Sequence, residues 1–293
     1  MDSIDRRTFM QTAPMSVAAI AALSNVGSAI AQQAAAPEAK SPGGAFRHSV
    51  CQWCYSSMDL ADLTRQAKAM GIESIELLSE PQWKIVQTNG LTCAVANGPT
   101  TIGSGFNRLE NHDAIVKRSE ELLPKIKAAG IPNMIVFSGN RGGLSDAEGL
   151  KNCAVGLKRI TPLAESLGVT IIMELLNSKI DHKDYQCDHT PWGAELVKQT
   201  ESDRFRLLYD IYHMQVMEGD VINTIGDHQW AIAHYHTGGV PGRAEIDHTQ
   251  ELNYPAICRA LNDMGYRGYF AQEFIPRRDP MKSLAEAVRL CTV

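Results

Sequence analysis

The chain has 293 residues, 44% hydrophobic and 21% charged, with 23 glycines and 13 prolines, a balance that excludes a collagen-like, low-complexity or disordered chain. Its 33 acidic residues outnumber 28 basic ones for a net charge of −5, which argues against a nucleic-acid binder. Seven cysteines are too few for a disulfide-dense scaffold, and the odd number leaves at least one unpaired.

Residues 1–31 read as an export address of the twin-arginine (Tat) type. Arg6-Arg7-Thr8-Phe9-Met10 gives a charged start, residues 13–23 a short apolar run, and Ala29-Ile30-Ala31 a small-residue cleavage site. The run falls short of the about 20 residues needed to span a bilayer. The expectation is therefore a cleaved signal, a periplasmic location and no stable membrane anchor. Residues 32–44, rich in Ala, Pro and Gly, read as a flexible linker. Residues 45–293 remain for the folded part, close to the roughly 250 residues of one (β/α)8 barrel.

From residue 46 the chain alternates short apolar runs with amphipathic segments. Strands are predicted at 47–53, 73–77, 92–96, 133–138, 169–174, 205–210, 230–236 and 268–274. Helices are predicted near 59–70, 80–89, 112–129, 146–167, 191–200, 215–225, 252–264 and 280–290, several ending at a glycine: Gly71, Gly90, Gly130, Gly168 and Gly265. Eight such alternations imply a parallel α/β sheet with right-handed crossovers. A single-domain (β/α)8 TIM barrel is the simplest closure; a doubly wound open sheet is the alternative. No G-x-G-x-x-G follows a strand, which weakens a dinucleotide-binding reading.

In such a barrel, function gathers at the C-terminal ends of the strands. There the sequence places Glu174 after the fifth strand's apolar run, Asp210 ending the sixth, His234 and His236 on the seventh, and Glu273 on the eighth. A carboxylate buried alone is costly unless something neutralises it. Convergence of Glu174, Asp210, His236 and Glu273 on one divalent cation explains all four. Such a donor set suits Mn²⁺ or Mg²⁺, with Co²⁺ or Zn²⁺ also compatible. His234 reads as a buried, hydrogen-bonded residue behind the site. A cation there would polarise a carbonyl and acidify the neighbouring C–H. One of the pair Glu174 and Glu273 could then take the proton and the other return it through an enediolate, giving isomerisation, or epimerisation if the proton returns to the same carbon. His213 and Arg243 are candidate contacts to a small-molecule substrate. A helix-capping role is the alternative for His213, and a surface turn for Arg243. Asn140-Arg141-Gly142-Gly143 is a second candidate ligand loop.

The remaining signals are weaker. Cys51 and Cys54 form C-x-x-C, but a strand puts i and i+3 on opposite faces, against a redox motif. The other cysteines read as small core residues. Trp53, Trp83 and Phe106 could wall a pocket, with core packing the simpler reading of each.

Glu174, the stretch from Tyr209 to Asp220, Val240-Pro241-Gly242-Arg243, and Glu251-Leu252-Asn253-Tyr254 together resemble the hydroxypyruvate isomerase family of xylose-isomerase-like barrels, over residues 46–291. The resemblance implies a (β/α)8 barrel that interconverts hydroxypyruvate and tartronate semialdehyde. It implies Glu174 and Glu273 as the acid–base pair, Asp210 and His236 completing a metal set, and His213 and Arg243 on substrate. One departure keeps a ketose 3-epimerase open as the alternative. Hydroxypyruvate isomerases tend to carry Gln at the position of His236, where ketose 3-epimerases carry His. A non-catalytic sugar-binding barrel and an abasic-site endonuclease are more distant readings; homo-oligomerisation is compatible with all of them.

Overall fold

The computed structural model describes residues 46–293; the expected signal at 1–31 and linker at 32–44 lie outside them. The strands are β1 (Arg47–Cys51), β2 (Ser74–Glu76), β3 (Val95–Asn97), β4 (Asn133–Val136), β5 (Thr170–Leu175), β6 (Phe205–Asp210), β7 (Ile232–Thr237) and β8 (Tyr269–Gln272). The helices are α1 (Leu60–Ala69), α2 (Glu80–Thr88), α3 (His112–Ala128), α4 (Asp146–Leu167), α5 (Thr190–Thr200), α6 (Ile211–Met217), α7 (Val221–His228), α8 (Tyr254–Asp263) and α9 (Pro280–Cys291).

All ladders are parallel, in the order β2-β1-β8-β7-β6-β5-β4-β3. The seam between β2 and β3 is closed by single parallel bridges, Ser74 with Thr92 and Leu78 with Ala96. The result is the expected barrel and not an open sheet. Strands enclosed on both faces read as nearly continuous apolar runs, and that is why they were visible in the sequence. A small apolar cluster of Ala94, Val95, Ile135, Ile172, Leu208 and Tyr269 fills the lower interior, while a larger one packs between strands and helices. Each aliphatic side chain so buried contributes about 1.5–3 kcal/mol relative to exposure.

Several boundaries differ from expectation for local reasons. Of the strand expected at 92–96, Thr92 makes a single bridge to Ser74 and the continuous strand begins at Val95, because the Ala94 N–H donates to the Ser74 hydroxyl (2.7 Å) and not to a neighbouring main chain. The first strand stops at Cys51, and Gln52–Tyr55 form a 3₁₀ turn, so Cys54 lies outside the strand; both thiols are free. The helix expected at 215–225 is two helices, broken where Gly219 and Asp220 adopt positive φ of 70° and 43°. The glycine ends were read correctly. Gly168 caps α4 at φ 70°, a left-handed backbone that glycine adopts at least cost, and its N–H returns to the Ala164 and Glu165 carbonyls. Among the described residues, no helix is long and apolar enough to cross a membrane.

His48 ties the barrel floor to the end of the chain. Its Nε2 lies 3.1 Å from the Thr292 hydroxyl, while Nδ1 is buried without a hydrogen-bond partner. Burial pushes its pKa from 6.5 down to about 4. The unfolded chain therefore binds a proton that the native state refuses, so stability is lost as pH falls through the interval from 6.5 to about 4. The expected loss is about 3 kcal/mol at the acid end. Urea melts of the wild type and His48→Phe at pH 7 and pH 4.5 check this. An identical loss of stability in both proteins over that interval would show that His48 is not responsible.

Candidate metal centre

Period-two alternation builds the site. Ile172 and Leu208 belong to the interior cluster, so Glu174 and Asp210, two residues on, also face inward at the barrel's C-terminal end. On β7, an irregularity between Leu207 and Leu208 of β6 leaves Ala233 unmatched and sets His236 opposite Asp210. Glu273 follows β8 directly and is tethered by its N–H to the Thr237 carbonyl (3.2 Å). Ligand atoms of Glu174, Asp210, His236 and Glu273 all lie within 4.8 Å of one another, and all four residues are buried.

The contacts divide the carboxylates by role. Asp210 is both a helix cap and a site residue. Its Oδ1 accepts from the N–H groups of Tyr212 (2.8 Å) and His213 (3.2 Å), starting α6 and aiming Oδ2 at the mouth. Arg243 sits beside it, with Nη2 3.0 Å from Asp210 Oδ2 and 2.6 Å from Glu273 Oε2. The other Glu273 oxygen accepts from the Trp53 indole N–H (2.7 Å), and Nδ1 of His236 lies 2.8 Å from Oε2. Glu174 Oε1 is 3.5 Å from the same nitrogen and is buried without a hydrogen-bond partner.

The electrostatics follow. Burial raises the pKa of Glu174, helped by the Glu273 charge, against the pull of His236. Burial also pushes Asp210 up to about 8, with Arg243 opposing and Glu273 and Glu174 adding. For Glu273 burial is outweighed: the charges of His236 and Arg243 and hydrogen bonds from His236 and Trp53 hold it well below the usual carboxylate range. Three carboxylates thus share one guanidinium and one imidazole. The buried, unpartnered oxygen of Glu174 and the oxygen-rich donor set fit a hard divalent cation.

The candidate substrate contacts His213 and Arg243 lie beside this cluster, and of the two Arg243 lines the cavity. His213 is fully buried, and its Nδ1 receives the Asn177 main-chain N–H (3.2 Å) and side-chain amide (2.7 Å). That leaves Nε2 as the N–H side of the ring, without a partner and 3.7 Å from Asp210 Oδ2. Burial and the nearby Arg243 hold its pKa well below 6.5, so the ring is a neutral donor. A cavity of about 420 Å³ opens over the cluster, walled by Trp53, Ile102, Phe137, Leu176, His182 and Arg243 among others.

Two expectations change here, and one residue joins the site. Trp53 is not core: it is 39% exposed, lines the cavity and binds Glu273, whereas Trp83 and Phe106 are buried as expected. Arg141 does not reach the site; it pins the loop after β4 to Asp146 and Asp188 (3.1 and 2.8 Å). The sequence reading also passed over Glu76, whose Oε1 lies 2.7 Å from Nε2 of His234 and 2.8 Å from Nε2 of His236. An acid directly after Ile75 at the end of the buried β2 was the available signal. Burial opposes ionisation of Glu76, but the two imidazoles bring it down to about 2. Cys51 Sγ approaches the same His236 nitrogen at 3.8 Å, yet burial raises its pKa far above the usual thiol range, so it offers no thiolate.

Three carboxylates and an imidazole on four adjacent staves form a set of possible cation ligands at the strand ends of a parallel α/β barrel. The chain belongs to the xylose isomerase-like TIM barrel family, whose sequence pattern it matches over residues 64–291. It is 28% identical over 250 residues to the Homo sapiens protein named "Putative hydroxypyruvate isomerase", covering 80% of this chain and 90% of that one. It is 29% identical over 235 residues to a 2-oxo-tetronate isomerase of Pectobacterium atrosepticum, covering 76% and 89%. The crystal structure of a family 2 AP endonuclease from Brucella melitensis superposes with a TM-score of 0.74 at 22% identity, covering 82% of this chain and 98% of that one; this likeness shows the fold alone.

Proposed function

We propose that this chain is a cation-assisted isomerase of a small hydroxy-carbonyl compound, acting through an enediolate on a hydroxypyruvate-like substrate. The observation that carries the reading is the asymmetry of its two glutamates around one cavity. Glu174 has a pKa raised by burial and one oxygen free of hydrogen bonds, suited to take up and release a proton. Glu273 is held ionised by His236, Arg243 and Trp53, and so is the member of the pair that starts unprotonated. His213 Nε2–H and the Arg243 guanidinium supply donors for the substrate oxygens. A divalent cation held by Glu174, Asp210, His236 and Glu273 would supply Lewis-acid polarisation of the carbonyl. The named activities of the human and Pectobacterium relatives support the isomerase class.

A second reading, ketose 3-epimerase, is favoured by the cavity. A three-carbon acid fills only a fraction of its about 420 Å³, and much of its wall is apolar. Incubation of the protein with Mn²⁺ in D₂O, separately with hydroxypyruvate and with ketohexoses, decides between them. The isomerase reading expects deuterium in the hydroxypyruvate product. Uptake only at C3 of a ketohexose would replace it with the epimerase, and no uptake from any of these would remove both.

A further inference from the structure

Beneath the mouth, β1, β2 and β7 place a second polar layer inside the barrel. Ser49, Ser74, Glu76, His234 and His236 are each at most 1% exposed. The Ser49 hydroxyl donates to Glu76 Oε2 (2.5 Å) and also lies 3.1 Å from the Ser74 carbonyl, so the carboxylate is fixed from below. Its other oxygen receives the Nε2–H groups of both His234 and His236. His234 and His236 stand edge to face, with ring centroids 5.2 Å apart, which leaves the His236 ring little freedom to rotate. An apolar residue would fill this interior at lower desolvation cost, so the buried charge calls for a role beyond packing.

We propose that Glu76 is a positioning residue for His236: by holding Nε2–H from inside the barrel, it fixes the ring so that Nδ1 is the nitrogen presented to Glu174 and Glu273. The inference rests on the reading of that cluster as a cation site. Nδ1 lies 2.8 Å from Glu273 Oε2 and 3.5 Å from Glu174 Oε1, so a ring flip would remove the only imidazole nitrogen from the set. His234 makes the same bond to Glu76 but is not in the mouth cluster, so it braces the carboxylate and contributes no ligand. A carboxylate behind a ligating imidazole fixes its tautomer and raises its basicity, and losing one lowers metal affinity roughly 10–100-fold.

The test uses the metal-stripped full protein titrated with Mn²⁺, in the wild type, Glu76→Gln and Glu76→Ala. Gln retains an acceptor for the two N–H groups but not the charge; Ala retains neither. Affinity is expected to fall about tenfold for Gln and about a hundredfold for Ala. The Co²⁺ absorption spectrum is expected to shift in the same order. In EDTA, the slowly exchanging imidazole N–H proton of His236 is expected in the wild type and lost in Glu76→Ala. Unchanged Mn²⁺ affinity in folded Glu76→Gln and Glu76→Ala would overturn the proposal; should the Ala variant fail to fold, unchanged affinity and Co²⁺ spectrum in Glu76→Gln do so alone. If the wild type takes up no Mn²⁺, the cation reading falls instead, and the N–H proton in EDTA still decides whether Glu76 orients the ring.

Discussion

Glu174→Gln is expected to lower deuterium exchange from the preferred substrate about a thousandfold, close to 4 kcal/mol of barrier, at saturating Mn²⁺. The substitution is isosteric and removes the one site carboxylate with a buried oxygen free of hydrogen bonds. It also removes a group whose pKa is raised by burial and by the Glu273 charge and which, unlike Asp210, is tied to neither a helix cap nor Arg243 by a hydrogen bond. Saturating metal matters because Glu174 is also a candidate ligand; under that condition the loss reports proton transfer and not cation uptake. Glu273→Gln is expected to be as damaging for a different reason. Its carboxylate is held in place by Trp53, His236 and Arg243, so neutralising it leaves Arg243 with only Asp210. Retention of a tenth or more of wild-type exchange by Glu174→Gln would show that another group carries the proton.

The parts of this site that the sequence exposed share one property. Glu174, Asp210 and Glu273 each lie at the end of a largely apolar, buried strand, where an unpaired acid is costly. Strand alternation then supplied His236 and set His234 behind it, as the structure shows. Asp210 does two things with one carboxylate: it starts α6 through Oδ1 and faces the cluster through Oδ2. What stayed hidden depends on three-dimensional neighbours. Trp53 rides on a 3₁₀ turn whose existence depends on β1 ending at Cys51, and an aromatic after a strand looks alike whether it turns inward or outward. Glu76 ends the three-residue β2, and only the barrel's closure brings that strand within reach of β7. The break between α6 and α7 follows from left-handed backbone at Gly219 and Asp220, and the polar run there reads equally well as one helix.

Arg243→Met is expected to destabilise the protein in EDTA while strengthening its hold on Mn²⁺. Arg243 is 13% exposed at the side chain and bridges Asp210 and Glu273, which are 0% and 3% exposed. Methionine keeps the length of the stem and removes the charge, leaving two buried carboxylates without their shared cation. Breaking a buried pair in this way costs about 3–5 kcal/mol. Protonation of Asp210, already raised to about 8, relieves part of that cost, so the lower bound applies near neutral pH. About 3 kcal/mol corresponds to a fall in Tm of roughly 6–12 °C for a domain of this size. The guanidinium and a divalent cation would draw on the same two oxygens, Asp210 Oδ2 and Glu273 Oε2, and like charges so close repel. Removing the first therefore raises affinity for the second, by about tenfold or more, equivalent to 1.4 kcal/mol. The fall in Tm should shrink when saturating Mn²⁺ is added, because the metal restores positive charge where the guanidinium stood. Substrate turnover should still drop, since the proposed role of Arg243 as a donor to a substrate oxygen is lost. Thermal melts with EDTA and with Mn²⁺, paired with Mn²⁺ titration, separate these effects. Equal Mn²⁺ affinity in the two proteins would mean that Arg243 and the cation do not share those oxygens.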